Sequence, residues 1–283
     1  MAALLLLVAS APAHAQSVGP SGAEEGPYRR QVWRVPSPEP GRLTQAVLYR
    51  PPGDGPFRLA VIAHSSTQDA AQRARFPLPG YDAATQWLLA RGYAVVLPQR
   101  PGHGETGGRY LEDQRGCDDA DYRGAGFAVA DSIQAAIDFM RKQDFIRKTG
   151  VAVFGQSAGG WGALALASRN PRGVDAIVIF AAGRGGRIDN RPGANCAPER
   201  LIETARLFGK TARIPLLAIY AQNDSFFSPA LSKRLIDAYR AAGGRAEYRL
   251  LPSFAEEGHY LFERARGVAS WGPVVEDFLA RRR

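Results

Sequence analysis

The sequence predicts an α/β fold: a mostly parallel, doubly wound sheet with helices on both faces and an antiparallel edge at its N-terminal side. Three observations predict it. From residue 59 onward, short apolar runs rich in β-branched residues alternate with stretches of helical period, the order that builds a parallel sheet. Ahead of them, residues 31–35 and 44–49 are β-prone runs separated by a Pro-rich turn, which reads as an antiparallel hairpin. In the middle of the alternation, Val151-Ala152-Val153-Phe154 runs into Gly155-Gln156-Ser157-Ala158-Gly159 and then an Ala-rich helical pattern. Strand, tight turn and helix in that order are the context of a nucleophile elbow, where a serine sits on a strained turn that only small neighbours leave uncrowded.

In chain order, residues 16–30 are rich in Gly, Pro, Ser and Glu and read as a flexible lead-in. The hairpin follows, then Leu59-Ala60-Val61-Ile62-Ala63, continuously apolar as a buried strand is. Residues 82–91 form an amphipathic helix closed by Gly92, and Tyr93-Ala94-Val95-Val96-Leu97 is the next strand. Residues 124–143 place Phe127, Ala130, Ile133, Ile137 and Met140 at steps of three and four, a helical stripe. After the elbow and its helix comes Ala176-Ile177-Val178-Ile179-Phe180. Residues 183–213 then interrupt the rhythm with Gly, Arg, Asn and Pro around a short helix at 198–208. A strand at 216–220, a helix at 229–242, a strand at 247–251 and a last helix at 271–280 complete the pattern. No internal repeat and no second domain is visible, so residues 31–283 read as one domain, which 283 residues suffice to give a large core. In such sheets ligands bind at the carboxyl ends of the strands. The loops there are 64–80, 98–123, 181–213, 221–228 and 252–262, the long ones.

Bulk composition narrows the function. A hydrophobic fraction of 45% and a charged fraction of 22% are those of an ordinary globular protein, and no run beyond the N-terminus is apolar enough to insert stably in a membrane. Residues 2–9 are an apolar run too short to span a bilayer, and Ala13-His14-Ala15 before Gln16 gives the small-x-small pattern of a signal peptide cleaved after Ala15, implying a periplasmic or secreted protein. No Lys or Arg precedes that run, which departs from the usual pattern. The net charge of +9 is carried mostly by arginine, with lysine only at 142, 148, 210 and 233. The cations are scattered apart from Arg281-Arg282-Arg283, whereas a nucleic-acid binder clusters them. Two cysteines outside any C-x-x-C and four histidines make no zinc pattern, and nothing calls for a cofactor. In an exported chain the even pair Cys117 and Cys196 suggests one disulfide; two separate buried thiols are the alternative.

A serine needs a base to take its proton and a third group to hold that base. With His14 in the signal region, the candidate bases are His64, directly after a strand; His103, in Gly102-His103-Gly104; and His259, after the last strand. The chain here resembles an α/β-hydrolase, and its second half is similar to the dienelactone-hydrolase-like branch of that superfamily, over about residues 55–280. That resemblance implies a nucleophile after the fifth strand, an acid after the seventh and a histidine after the eighth. Ser157, Asp224 in Ala221-Gln222-Asn223-Asp224, and His259 in Glu256-Glu257-Gly258-His259 fit those places in the expected order. Glu256 and Glu257 read as solvated loop charges.

The resemblance also implies an oxyanion hole made by the Ala158 amide and an amide of the loop His64-Ser65-Ser66-Thr67. The family usually has glycine where Ser65 stands, which leaves the second donor to Ser65 or Ser66; Ser66 is favoured. His64 and His103, the latter in a turn resembling the family's Arg-Gly-His-Gly, read as architectural. Ser65, Trp161, Phe226 and Phe227 are candidate pocket residues, with core packing as the alternative for the phenylalanines and the favoured reading for Trp161. Loops 98–123 and 181–213 are expected to roof the site, tied by Cys117 and Cys196. Dienelactone hydrolases proper use cysteine at the elbow; serine here implies ester hydrolysis but not lactone specificity. The expected substrate is therefore a small-molecule ester, with a prolyl-oligopeptidase-like peptidase or a non-catalytic binding protein as alternatives. Such peptidases usually add an N-terminal propeller, which about 40 residues of mature lead-in are too few to form. Oligomeric state is not legible.

Overall fold

The computed structural model describes residues 17–282, so the expected signal peptide lies outside the described residues. Nine strands form one sheet: β1 (Gly19–Glu25), β2 (Arg30–Pro36), β3 (Leu43–Tyr49), β4 (Arg58–Ala63), β5 (Tyr93–Pro98), β6 (Val151–Gln156), β7 (Val174–Phe180), β8 (Leu216–Ala221) and β9 (Ala246–Leu251), in the order β1-β2-β3-β5-β4-β6-β7-β8-β9. The first three run antiparallel to their neighbours and the remaining six are mutually parallel. The helices are α1 (Ala70–Ala74), α2 (Asp82–Leu89), α3 (Tyr122–Met140), α4 (Ala158–Ala167), α5 (Pro198–Gly209), α6 (Pro229–Ala241) and α7 (Val268–Ala280).

Alternation along β4 shows why its continuous apolar run is needed. Leu59, Val61 and Ala63 belong to the core that packs α3, α4, α5 and α6, while Ala60 and Ile62 belong to the core beneath α2 and α7. Helix starts follow local chemistry: Asp121 accepts the Gly124 amide ahead of α3, Ser228 accepts the Leu231 amide ahead of α6, and Pro198 and Pro229 occupy first turns. No helix among the described residues is long and apolar enough to cross a membrane.

Two elements depart from the sequence reading. Residues 19–25, expected within a flexible lead-in, pair with β2 as an exposed edge strand. Their composition carries no strand signal because the pairing comes from the partner's backbone and from ion pairs, Glu24 with Arg29 at 2.8 Å and Glu25 with Arg30 at 3.0 Å. The short helix α1 lies inside the expected loop 64–80, begun by Asp69, which accepts the Ala71 and Gln72 amides. The extra first strand shifts the count by one, so the elbow follows β6.

Candidate active site

Ser157 joins β6 to α4 with φ 53° and ψ −119°, a conformation costly for any residue with a Cβ. Its amide donates to the Phe180 carbonyl and its own carbonyl accepts from Trp161, so the flanking elements hold the strain. The glycines beside it are required by close approach. A Cβ on Gly155 would lie 2.5 Å from the Gly159 carbonyl oxygen, and one on Gly159 would lie 2.1 Å from that of Ala63.

Asp224 follows β8 and His259 follows β9. The Asp224 carboxylate lies 3.2 and 3.3 Å from His259 Nδ1, and its Oδ1 also accepts the Phe226 and Phe227 amides at 2.8 and 3.0 Å. Both side chains are buried. Because the acid can only accept, Nδ1 carries the proton and Nε2 is left free as the basic nitrogen. Phe226 stacks on the imidazole at 4.0 Å between centroids.

Ser157 and His259 line one cavity of about 820 Å³ at the carboxyl ends of the strands, together with Ser65, Ser66, Ala158, Phe226 and Phe227. Its roof comes from 114–117, 183–189 and Cys196, and the Cys117–Cys196 disulfide ties the first segment to the loop after β7. Trp161 takes no part: it is buried in the core, its ring packed against Tyr122 and Phe208 and its indole donating to the Tyr122 carbonyl at 2.8 Å. It projects from α4 toward α3, so the pocket reading of Trp161 is ruled out and the favoured core reading stands. Phe227 is both core and cavity wall. A second cleft, at the amino ends of the strands, is lined by Arg58, Arg91, Arg147 and Arg282 with Asp175 and Glu276, and holds no histidine, serine or cysteine.

The loop after β4 is braced from beneath. The Arg100 amide donates to His64 Nε2 at 3.1 Å, so Nδ1 carries the proton and donates to the Ser65 carbonyl at 2.6 Å. Burial, with Arg100 and His103 beside it, pushes the His64 imidazole well below its ordinary pKa. His103 Nδ1 faces the Arg100 and Pro101 carbonyls, so its Nε2 accepts from the Ser66 hydroxyl at 2.8 Å; burial pushes its pKa down to about 4. Neutral and fully engaged, both histidines serve as architecture. The Ser65 amide donates to the Tyr81 hydroxyl at 3.1 Å, whereas the Ser66 amide has no protein partner among the described residues.

Sequence reasoning missed the ionic group below this loop. Glu112 receives Arg100 Nε at 2.6 Å and Arg184 Nη1 at 2.6 Å, with all three side chains 3% exposed or less. Burial acts to raise its pKa, but the two guanidiniums outweigh it and hold the carboxyl at about 2. Arg100 Nη1 donates to the His64 carbonyl at 2.7 Å, and Arg184 Nη2 donates to the Tyr110 hydroxyl at 2.9 Å, which is 3.2 Å from the Ser66 hydroxyl. Glu257 is a second correction. Rather than a solvated charge, it accepts the Ser225 and His259 amides, each at 3.0 Å, and the Ser225 hydroxyl, clamping the histidine loop to the acid loop. Burial pushes the Glu263 carboxyl, also on the cavity wall, above the usual range. No periodicity or motif marks these residues; only the fold brings them together. Among the described residues no cluster of His, Cys, Asp or Glu could hold a metal ion.

No curated relative matches the chain. Among solved structures it is similar to a puromycin-hydrolyzing peptidase from Mycobacterium tuberculosis, with TM-score 0.65 and 18% identity, over 89% of this chain and 38% of the peptidase. The chain thus spans less than half of that protein's length. It is also similar to an esterase from Pyrococcus furiosus (TM-score 0.64, 14% identity, 90% of this chain and 93% of the esterase) and to a cold-adapted esterase from an Arctic intertidal metagenomic library (TM-score 0.62, 16% identity, 94% and 99%). At such identities the likeness shows the α/β-hydrolase fold. The model of the dienelactone hydrolase family matches residues 80–277, which takes in the elbow and the loops after β8 and β9 but not the loop after β4. On a match that covers most of its length, the chain belongs to the dienelactone hydrolase family.

Proposed function

We propose that this hydrolase is an exported serine esterase that cleaves carboxylic esters through an acyl-enzyme. The observation that carries the reading is a strained Ser157 opening into the same cavity as a His259 held by Asp224. Ser157 Oγ attacks the acyl carbonyl as His259 Nε2 takes its proton, and Asp224 keeps the Nδ1 proton in place. The amides of Ala158 and Ser66 receive the oxyanion. His259 returns the proton to the leaving alcohol, and a water activated by the same nitrogen releases the acid. Ser65 is the less fitting donor because its amide already serves Tyr81. The disulfide supports export, since such bonds persist in oxidising compartments.

Peptide hydrolysis is a second reading, favoured by the similarity to the puromycin-hydrolyzing peptidase. Paired p-nitrophenyl ester and aminoacyl-p-nitroanilide substrates separate the two. Fluorophosphonate labelling separates either enzyme from a binding protein on the same fold. Ser157→Ala is expected to lower kcat on p-nitrophenyl acetate by about 10⁴-fold or more without unfolding the chain. A folded Ser157→Ala protein with wild-type turnover would remove the assignment.

A further inference from the structure

Three segments meet at the proposed centre: the loop after β4, the elbow after β6 and the loop after β9. Behind the cavity, one chain of hydrogen bonds joins all three. The Ser65 amide donates to the Tyr81 hydroxyl at 3.1 Å, that hydroxyl donates to Gln156 Oε1 at 2.7 Å, and Gln156 Nε2 donates to the His259 carbonyl at 2.9 Å. The directions are forced. An amide N–H only donates and a carbonyl only accepts, so the Tyr81 proton goes to Gln156 and the Gln156 nitrogen faces His259.

Gln156 is fully buried and directly precedes Ser157, so its position is that of the elbow. Tyr81 is anchored from the other side, its ring 5.4 Å from that of Phe262, three residues beyond His259. The Tyr81 backbone is left-handed, with φ 47° and ψ 43°, a conformation that a bulky residue keeps only when its surroundings demand it. Its side chain makes no capping bond to α2, so capping does not explain it. Burial keeps the phenol protonated, as its donation to Gln156 requires.

We propose that Tyr81 and Gln156 are positioning residues of the catalytic centre, a relay that sets the oxyanion loop and the histidine loop at fixed places relative to the serine. Neither touches substrate. Tyr81 withdraws the Ser65 amide from the cavity and so leaves the next amide, that of Ser66, to face the oxyanion. Gln156 holds the backbone of His259 from below while Asp224 holds its ring. The kinetic consequence rests on the serine-hydrolase reading; the structural consequence rests on the hydrogen bonds alone.

The test uses the full chain with Tyr81→Phe, Gln156→Met and the double variant, which remove the polar atoms and keep the bulk. Steady-state kinetics on p-nitrophenyl acetate are paired with amide hydrogen exchange of peptides spanning 64–67 and 257–262. Each single variant is expected to lower kcat about 10–100-fold with KM within about threefold, as for groups that act on the transition state rather than on ground-state binding. The double variant should fall no more than about threefold below the weaker single, because one chain is being cut in two places. Exchange should quicken about tenfold in both loops, although Tyr81 is distant in sequence from the second. Tyr81→Phe with unchanged kcat, multiplied losses in the double variant, or exchange that changes in only one loop would each overturn the relay. A wild-type protein that neither turns over esters nor labels with fluorophosphonate sinks the serine-hydrolase reading instead, and the exchange result then decides the relay by itself.

Discussion

Replacing Glu112 with Gln probes how the cavity floor is built. The carboxylate sits between Arg100 and Arg184, both at 2.6 Å, with no water-exposed surface to speak of on any of the three. Its pKa falls from 4.5 to about 2 in the fold, which corresponds to a contribution of about 3 kcal/mol. Because the folded value is the depressed one, that contribution is complete above pH 4.5 and is lost as the pH falls towards 2. Glu112→Gln keeps the shape and leaves two buried guanidiniums without a counter-charge, a loss expected at about 3–5 kcal/mol. At about 2–4 °C per kcal/mol for a chain of this size, the midpoint should drop by at least about 6–12 °C at pH 7. Urea unfolding of wild type and variant from pH 7 down to 2.5 makes the check sharper. The gap between them should hold to about pH 4.5 and close below it, as wild-type Glu112 becomes protonated and the two chains become electrostatically alike. A gap under about 1 kcal/mol at pH 7, or one constant down to pH 2.5, would refute the account of Glu112 as the charge that holds both arginines.

Two further perturbations test other parts of the site. Asp224→Asn should retain the turn, since its oxygen can still accept the Phe226 and Phe227 amides, yet lose about 10⁴-fold in kcat by presenting an N–H to His259 Nδ1 and favouring the wrong tautomer. Turnover within tenfold of wild type would count against Asp224 as the orienting acid. Cys117→Ser with Cys196→Ser opens a loop with a sequence separation of 79, and the chain-entropy argument puts the loss of stability at about 4–5 kcal/mol, read from the urea midpoint. An unchanged midpoint would show that the roof is held without the bond.

Much of the fold was legible because its signals are local. Val61 and Ile62 read as strand for the same reason that they pack two different cores: a run buried on both faces must be apolar throughout. The glycines around Ser157 stand where close backbone approach leaves no room for a Cβ: Gly155 against 159–160 and Gly159 against 63–64. What could not be read was set by partners far along the chain. β1 is a strand only because β2 offers it hydrogen bonds. Glu112 and Glu257 look like any surface acid until Arg100 and Arg184, or Ser225 and His259, are brought around them. Trp161, close to Ser157 in sequence, was open to a pocket reading, but core packing was favoured and the turn of α4 does carry it round to the core.

The disulfide closes a ring of chain, and the ring has a partition that matters. Ser157 lies inside it, whereas Asp224 and His259 lie beyond Cys196. An exposed stretch of the loop after β7, residues 189–193, is also inside. A protease acting there would divide the polypeptide between Ser157 and the Asp224–His259 pair, the proposed nucleophile and the groups proposed to activate it. It would not divide the molecule, because one fragment keeps Cys117 and the other keeps Cys196. The oxidised protein can be nicked in its roof and still hold both halves of the proposed catalytic apparatus on one covalent body; the reduced protein cannot.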